Sequence, residues 1–435
     1  MWVSADFLTH ASYLVPLGIV YFAYVRRKKR RHHRNLSTLH AAVEAGLTEP
    51  VSLHPVIDPN RCLGSAACVP ACPEGDVLGI IAGKAQLINP THCIGHGACR
   101  AACPHDAITL VFGTEKRGVD IPFVSPSFET NVPGIFIAGE LGGMGLIGNA
   151  IEQGRQALES IKKLKGKGSN YDVVIVGAGP AGFSASLGAK LHKLRYVTVE
   201  QETLGGTVAH FPRGKIVMTR PVMLPIVGKA KMRETTKEAL LEFWKGIEKK
   251  TGIKINYQER VEEITKNGKG FVVKTTRKTY ETTAVLLTIG RRGTPRKLGV
   301  PGEELSKVVY RLIDPEQYRN QHVLVVGGGD AALEAAHSIA DEPGTTVTLS
   351  YRSDSFSRAK EKNGKMVEER QAAGRLRVML NSDVKTITKK KVLIDSKGKS
   401  VEIPNDGVII CAGGLLPTPF LKKIGIEVET KHGTA

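Results

Sequence analysis

The sequence predicts an α/β chain in which two Rossmann-like dinucleotide-binding domains follow a small α+β domain and one N-terminal transmembrane helix. Three observations carry this. Gly-rich turns at residues 177–182 and 327–332 each join an apolar strand-like run to a helix-like one; a cysteine run repeats at a period of 31 residues; and residues 7–25 form a nineteen-residue apolar stretch. With 435 residues there is room for two to four domains.

The first element is the apolar stretch. Nineteen residues at the helical rise cover about 28 Å, close to the hydrocarbon thickness of a bilayer. Arg26, Arg27, Lys28, Lys29, Arg30, Arg31 and Arg34 follow it directly, a concentrated part of a net charge of +19. A cleaved signal would carry its charges before the apolar run, whereas here Asp6 precedes and the basic cluster follows. The positive-inside rule then sets the N-terminus outside and everything after Val25 in the cytoplasm. The expectation is a single-pass inner (cytoplasmic) membrane protein with catalytic domains facing the cytoplasm and the lipid bilayer as a partner. His10, Ser12 and Pro16 make the run only moderately apolar, and an interfacial helix is the alternative. Basic patches also serve nucleic acid, but the adjacent apolar run argues for lipid, and no nucleic acid is expected.

The cysteine repeat comes next, as Cys62-x5-Cys68-x3-Cys72-Pro73 and Cys93-x5-Cys99-x3-Cys103-Pro104. Both runs fit the bacterial ferredoxin pattern C-x2-C-x2-C-x3-C-P, in which the fourth cysteine ligates the other run's cluster. They depart from it at the second ligand, where Ser65 and His96 stand. Disulfides would need an oxidising compartment and leave the repeat unexplained. The pairing rule assigns Cys62, Cys68 and Cys103 to one iron-sulfur cluster and Cys93, Cys99 and Cys72 to the other. Either Ser65 and His96 complete [4Fe-4S] clusters, or the fourth iron is absent and the clusters are [3Fe-4S]; the sequence leaves both open. A neutral imidazole replacing an anionic thiolate makes reduction easier.

Residues 172–200 read as strand, Gly-rich turn, helix and second strand. Gly177 permits the tight turn, Gly179 lets the backbone approach a pyrophosphate and Gly182 allows close helix packing; Ala178, Pro180 and Ala181 complete the turn. The helix N-terminus faces the phosphates. Glu200, 23 residues after Gly177, is placed to bind a ribose diol. In the second unit Gly327, Gly329 and Ala332 fill the small-residue positions around Asp330 and Ala331. Its second strand is followed by Tyr351 and Arg352, with Arg358 nearby and no acid at the ribose position. An arginine there accommodates a 2′-phosphate, which favours NADPH over NADH; a solvated basic loop is the plainer alternative.

From Tyr171 onward the chain resembles the low-molecular-weight thioredoxin reductase family of pyridine nucleotide flavoproteins, on DVVIVGAGPAG, LLTIGRRGTP, VLVVGGGDAALEAA and DGVIICAGGLLPTP. Residues 349–363, LSYRSDSFSRAKEKN, resemble its bacillithiol-disulfide-reductase-like branch. The resemblance implies FAD in the first unit, at Gly177, Gly179, Gly182, Glu200 and the Gly290 turn, and NADPH in the second. It also implies that Gly205, Gly206, Thr207 and His210 lie near the flavin ring, with a packing role the alternative for His210. A homodimer is implied by the family alone.

The family's closing segment, roughly T-x-V-P-G-x-F-x-A-G-D and a helix, matches residues 130–161, with Glu140 in place of Asp. The resemblance therefore implies a circularly permuted flavin domain, tolerable because domain termini often lie close together. Gly139 and Glu140 would face the ribityl chain, and the helix from about Gly148, which carries Ala150, would point its positive end at the flavin. The short linker Lys162–Asn170 favours this over completing a neighbouring chain's site. The chain divides into a transmembrane anchor 1–25, basic linker 26–55, two-cluster ferredoxin domain 56–112, permuted part of the FAD domain 113–165, FAD domain 166–302, NAD(P)H domain 303–403 and return strand 404–435.

Thioredoxin reductases carry a C-x-x-C just before the second fingerprint; here VVYRLIDPEQYRNQ has no cysteine, which excludes a dithiol relay. Cys411, in an apolar strand, reads as a small buried residue. The parts form a chain of carriers from NADPH through FAD to two clusters. Hydride transfer needs orientation rather than acid-base groups, so no catalytic acid, base or nucleophile is assigned. The expected function is a membrane-anchored NAD(P)H-dependent flavin/iron-sulfur oxidoreductase serving a redox partner protein or quinone, with reverse flow equally allowed. The alternatives are reduction of a low-molecular-weight disulfide or quinone at the flavin, and a non-autonomous electron-transfer subunit.

Overall fold

The computed structural model describes residues 5–50, 53–115, 118–143, 145–164, 170–218, 221–230, 234–268, 270–291, 293–357 and 359–433. Two compact units divide at Val111/Phe112.

The first unit opens with one helix, Ala5–Glu44, which carries Pro16 inside it and runs unbroken through the basic cluster. Among the described residues no helix is long and apolar enough to cross a membrane. This corrects the expected transmembrane helix at residues 7–25, and with it the inner-membrane location and the bilayer as partner. The composition gives the reason: His10, Ser12, Pro16 and tyrosines 13, 21 and 24 dilute the run, and charge begins at Arg26. The second half of the helix packs on the cysteine-rich module instead. Asn35 is buried and donates from Nδ2 to the Ile80 carbonyl at 3.0 Å. Arg34 pairs with Asp76 at 2.9 Å, and the Ala82 N–H reaches His32 Nδ1 at 3.3 Å. Gly79 makes this approach possible, because a Cβ there would stand 2.7 Å from the Asn35 side chain.

The module itself is two antiparallel pairs with two one-turn helices. His54–Ile57 pairs with Ile108–Val111, and Leu78–Ile81 forms a hairpin with Lys84–Leu87. The short helices Cys68–Ala71 and Ala98–Ala101 each begin in a cysteine run. Cys62, Cys68, Cys93 and Cys99 are buried with Val77, Leu78, Ala85, Ala107 and Ile108, so the thiols are part of the core.

The two largest sheets of the second unit carry its Gly-rich turns. The larger has the order Ile255–Asn256, Tyr196–Val199, Tyr171–Val176, Thr279–Leu287, Gly270–Thr275, Val261–Asn267. Residues 173–176 are all buried, as expected of a parallel strand covered on both faces. Ile135–Ile137 joins in parallel along Val285–Leu287, beside the antiparallel neighbour that pairs with Thr279–Thr282. Over this sheet the helices Ile147–Ile161 and Pro180–Leu191 meet closely. A Cβ on Gly154 would fall 2.0 Å from the Ala181 carbonyl oxygen, so the contact requires glycine. The second sheet is fully parallel, in the order Val308–Val309, Gly407–Ile410, His322–Val326, Thr346–Tyr351, Leu376–Leu380. Asp330–Ala340 and Glu361–Ala372 pack on it.

Candidate functional site

The first Gly-rich turn lies where Tyr171–Val176 hands over to the helix Pro180–Leu191. Gly177 has φ +105°, and a Cβ there would stand 2.8 Å from the Thr288 carbonyl oxygen. On Gly182 a Cβ would stand 1.9 Å from the Gly177 carbonyl oxygen. Thr288 clamps the turn by donating its hydroxyl to the Val176 carbonyl at 2.8 Å. Gly179 precedes Pro180 at the helix start, where free N–H groups favour an anion. Nothing crowds it: the nearest atom to a Cβ there would be Gly206 Cα at 4.0 Å.

Glu200 directly follows the strand Tyr196–Val199, buried, with both oxygens engaged by backbone donors. Oε2 accepts from Ala178 N at 2.7 Å and Oε1 from Glu202 N at 2.8 Å. Burial pushes its carboxyl above the usual range, and the backbone N–H groups oppose this by stabilising the charged form. Gly205 continues the wall, its N–H donating to the Ala178 carbonyl at 3.0 Å. Gly206 begins the short helix Gly206–His210, which contains Thr207, and a Cβ on it would stand 3.1 Å from Gly179 Cα.

The segment around residue 139 reaches the same place. A Cβ on Gly139 would lie 3.1 Å from the Ala181 methyl and 3.7 Å from that of Ala150. The Gly139 N–H donates to Gln153 Oε1 at 2.8 Å. Glu140 lies beside the Gly290 turn, with Oε2 3.9 Å from where a Gly290 Cβ would be. These residues thus surround one cradle with a narrow glycine floor and a fixed carboxylate at its rim, which fits a dinucleotide such as FAD. His210 closes the short helix with its ring held on both sides: Nε2 is 2.8 Å from Glu202 and Nδ1 2.5 Å from Arg311. Sequence reasoning missed Thr288 and Gln153; the Thr-x-Gly ending in Gly290 was the only local sign of the former.

At the second turn Gly327 has φ +142°, with a would-be Cβ 2.5 Å from the Cys411 carbonyl oxygen and 3.1 Å from the Ala332 methyl. Gly329 has open space beside it. Asp330 Oδ1 accepts from Lys360 N at 2.7 Å and Asn363 Nδ2 at 2.8 Å, tying the turn to Glu361–Ala372. The Tyr351 ring lies against Gly328, where a Cβ would approach it to 2.4 Å, and stacks on Phe356 at 5.7 Å. Arg352 is exposed next to it, as is Ala331 at the helix start. Arg358 falls outside the described residues. Cys411 is half-buried, with Sγ 3.8 Å from the Ala331 carbonyl oxygen.

The six remaining cysteines surround two cavities in the first unit. Cys62, Cys68 and Cys103 line one with Ser65 and His105. Cys72, Cys93 and Cys99 line the other with His54, Glu74 and His96. Among the described residues no three His, Cys, Asp or Glu side chains converge closely enough for a single ion; the thiols enclose a volume rather than a point, as a cluster requires. Gly64 shapes the first loop at φ +73°, where a Cβ would strike the Gly83 carbonyl oxygen at 2.1 Å. Backbone donors reach the sulfurs, among them Ala85 N to Cys62 Sγ at 3.3 Å and Ala107 N to Cys103 Sγ at 3.4 Å. Burial pushes the Cys68 and Cys93 thiols up to about 11, with neighbouring cysteines adding to the rise. Iron is the positive charge that holds such buried sulfurs as thiolates, so the donor set fits iron-sulfur clusters. Glu74 and His105 were missed in the sequence; each follows a Cys-Pro pair.

Residues 174–434 match the family model for pyridine nucleotide-disulphide oxidoreductase, and residues 54–104 match that for a 4Fe-4S dicluster domain. A ferredoxin–NADP reductase of Ignicoccus hospitalis is 30% identical over 269 residues, 60% of this chain and 83% of that protein. The bacilliredoxin reductase Bdr of Bacillus subtilis is 28% identical over 60% of this chain and 82% of its own length. The solved bacillithiol disulfide reductase Bdr of Staphylococcus aureus superposes with a TM-score of 0.53 at 24% identity, covering 59% of this chain and 80% of that one, and shares its fold.

Proposed function

Because the chain belongs to the pyridine nucleotide-disulphide oxidoreductase family and is an NAD(P)H-dependent FAD oxidoreductase, we propose that it moves electrons between NADPH, FAD and two iron-sulfur clusters carried in its own N-terminal unit. One observation carries the reading: six cysteines enclose two cavities of three thiols each, while residues 303–321, where a dithiol relay would stand, hold no cysteine. When bound, FAD would supply the exchange between two-electron hydride chemistry and the one-electron chemistry of the clusters.

The chain's own residues hold and orient these groups. The N–H groups at the start of Pro180–Leu191 bind the FAD pyrophosphate over Gly179, and Glu200 accepts from its ribose. Gly139 and Glu140, brought in on the strand Ile135–Ile137, complete the cradle in the same chain; on this account the flavin domain is circularly permuted. Gly327–Ala332 bind the second dinucleotide, and Arg352 selects the 2′-phosphate of NADPH. A ferredoxin–NADP reductase is among the relatives; here the ferredoxin-type partner is built in, and a redox protein or quinone exchanges electrons with it.

Anaerobic titration of the full chain with NADPH and with NADH, followed by optical and electron paramagnetic resonance spectra, tests the proposal. Cluster signals should grow as the flavin bleaches, with NADPH the better donor. Flavin bleaching that leaves fully assembled clusters oxidised would rule it out.

A further inference from the structure

We propose that Glu74 positions His96 as the fourth ligand of the cluster enclosed by Cys72, Cys93 and Cys99. The inference rests on reading these cysteines as cluster ligands and goes beyond it by assigning the remaining iron. His96 occupies the ligand slot of the second run, and Glu74 follows Cys72-Pro73 in the first. Because Cys72 crosses into the cavity of the second run, it brings Glu74 with it, and both Glu74 and His96 line that cavity.

The two side chains face each other at ion-pair rather than hydrogen-bond distance. His96 Nδ1 faces Glu74 Oε1 at 3.9 Å, and the side chains are 31% and 25% exposed. With Nδ1 turned to the carboxylate, Nε2 is the nitrogen left for iron. A carboxylate that accepts the other ring N–H of a ligating histidine fixes ring orientation and raises ligand basicity, typically for about 10–100-fold in metal affinity, and with iron bound the Glu74–His96 pair would tighten to that bond. The other cavity lacks the arrangement: Ser65 holds the ligand slot there, and His105, not a carboxylate, follows Cys103-Pro104. The two clusters are therefore unequal, one completed by a histidine and one not. His54 is the competing imidazole in the same cavity, buried on the strand His54–Ile57.

The test uses the full chain labelled with ¹⁵N-histidine, reconstituted anaerobically with iron and sulfide, and examined by pulsed electron paramagnetic resonance. Nitrogen coupling to one reduced cluster is expected in the native protein and in H54A. It should vanish in H96A, where that cluster appears as a three-iron species when oxidised. H96C guards against misfolding, because it restores the ferredoxin ligand and should keep four irons without nitrogen coupling. E74Q should lose the fourth iron to a chelator about tenfold faster, and E74D should recover most of the difference. Clusters without nitrogen coupling in the native protein, coupling that persists in H96A, or an E74Q variant indistinguishable from native would overturn the assignment alone. Absence of any cluster in the native protein would overturn the cluster reading as well.

Discussion

The Glu200 carboxylate accepts the Ala178 backbone N–H at 2.7 Å, fastening the residue that follows the strand Tyr196–Val199 to the first Gly-rich turn. One residue thereby holds the turn in shape and presents a carboxylate at its rim. A hydrogen bond to a charged group contributes about 1.5–3 kcal/mol. Glu200→Ala should therefore weaken FAD retention by roughly 10–100-fold, read by flavin fluorescence on dilution.

Glu200 also gives a pH signature in the apoprotein. Burial raises its carboxyl above the unfolded value, so the folded state holds the proton more tightly than the unfolded one. The associated stability is full below the unfolded pKa and is lost as pH rises through the raised folded pKa. Thermal melts across that window should show the native protein losing ground to E200Q as pH increases; a constant difference would contradict the raised carboxyl.

Gly154 admits no side chain against Ala181. Gly154→Ala places a methyl where 2.0 Å separates it from a carbonyl oxygen, and such overpacking typically costs about 1–3 kcal/mol. The melting temperature should fall by several degrees and FAD retention with it, because Gly139 and Ala181 share that helix contact.

Replacing the fourth cysteine of each run should act crosswise. Cys72→Ser is expected to damage the cluster of Cys93 and Cys99 and leave that of Cys62 and Cys68, with Cys103→Ser doing the reverse. Iron and sulfide content with resonance spectra of the two variants reads this directly; loss of the cluster in the same run would contradict the grouping around the cavities.

Arg352 stands exposed beside Tyr351 at the second turn. Arg352→Ala should raise the KM for NADPH about tenfold and leave that for NADH nearly unchanged, measured by reduction of an artificial dye. Equal effects on both would assign the arginine to the solvated surface.

Much of this was legible because the signals are local. A Gly-rich turn between a β-branched run and a helix, or cysteines spaced to turn about a cluster, encode backbone conformations that neighbouring residues alone decide. The grouping of Cys72 with Cys93 and Cys99 follows from the pairing rule of the ferredoxin pattern, and the linings of the two cavities have the same grouping. The N-terminal helix was legible as a helix, and so was its dilution by His10, Ser12 and Pro16, but not its setting: nothing local shows that Asn35, nine residues into the basic part, is buried against Ile80.

The sequence by itself determined the two fingerprints, the cysteine frames and the absence of a thiol before the second turn. Only the tertiary structure decided which distant residues meet them. Gln153 takes the Gly139 N–H across a helix turn, Thr288 clamps a turn more than a hundred residues upstream, and Glu74 faces His96 from the opposite cysteine run. The reason is physical: a turn is fixed by the torsions of a few consecutive residues, whereas a polar partner is selected by which surfaces pack together, and that depends on the whole fold.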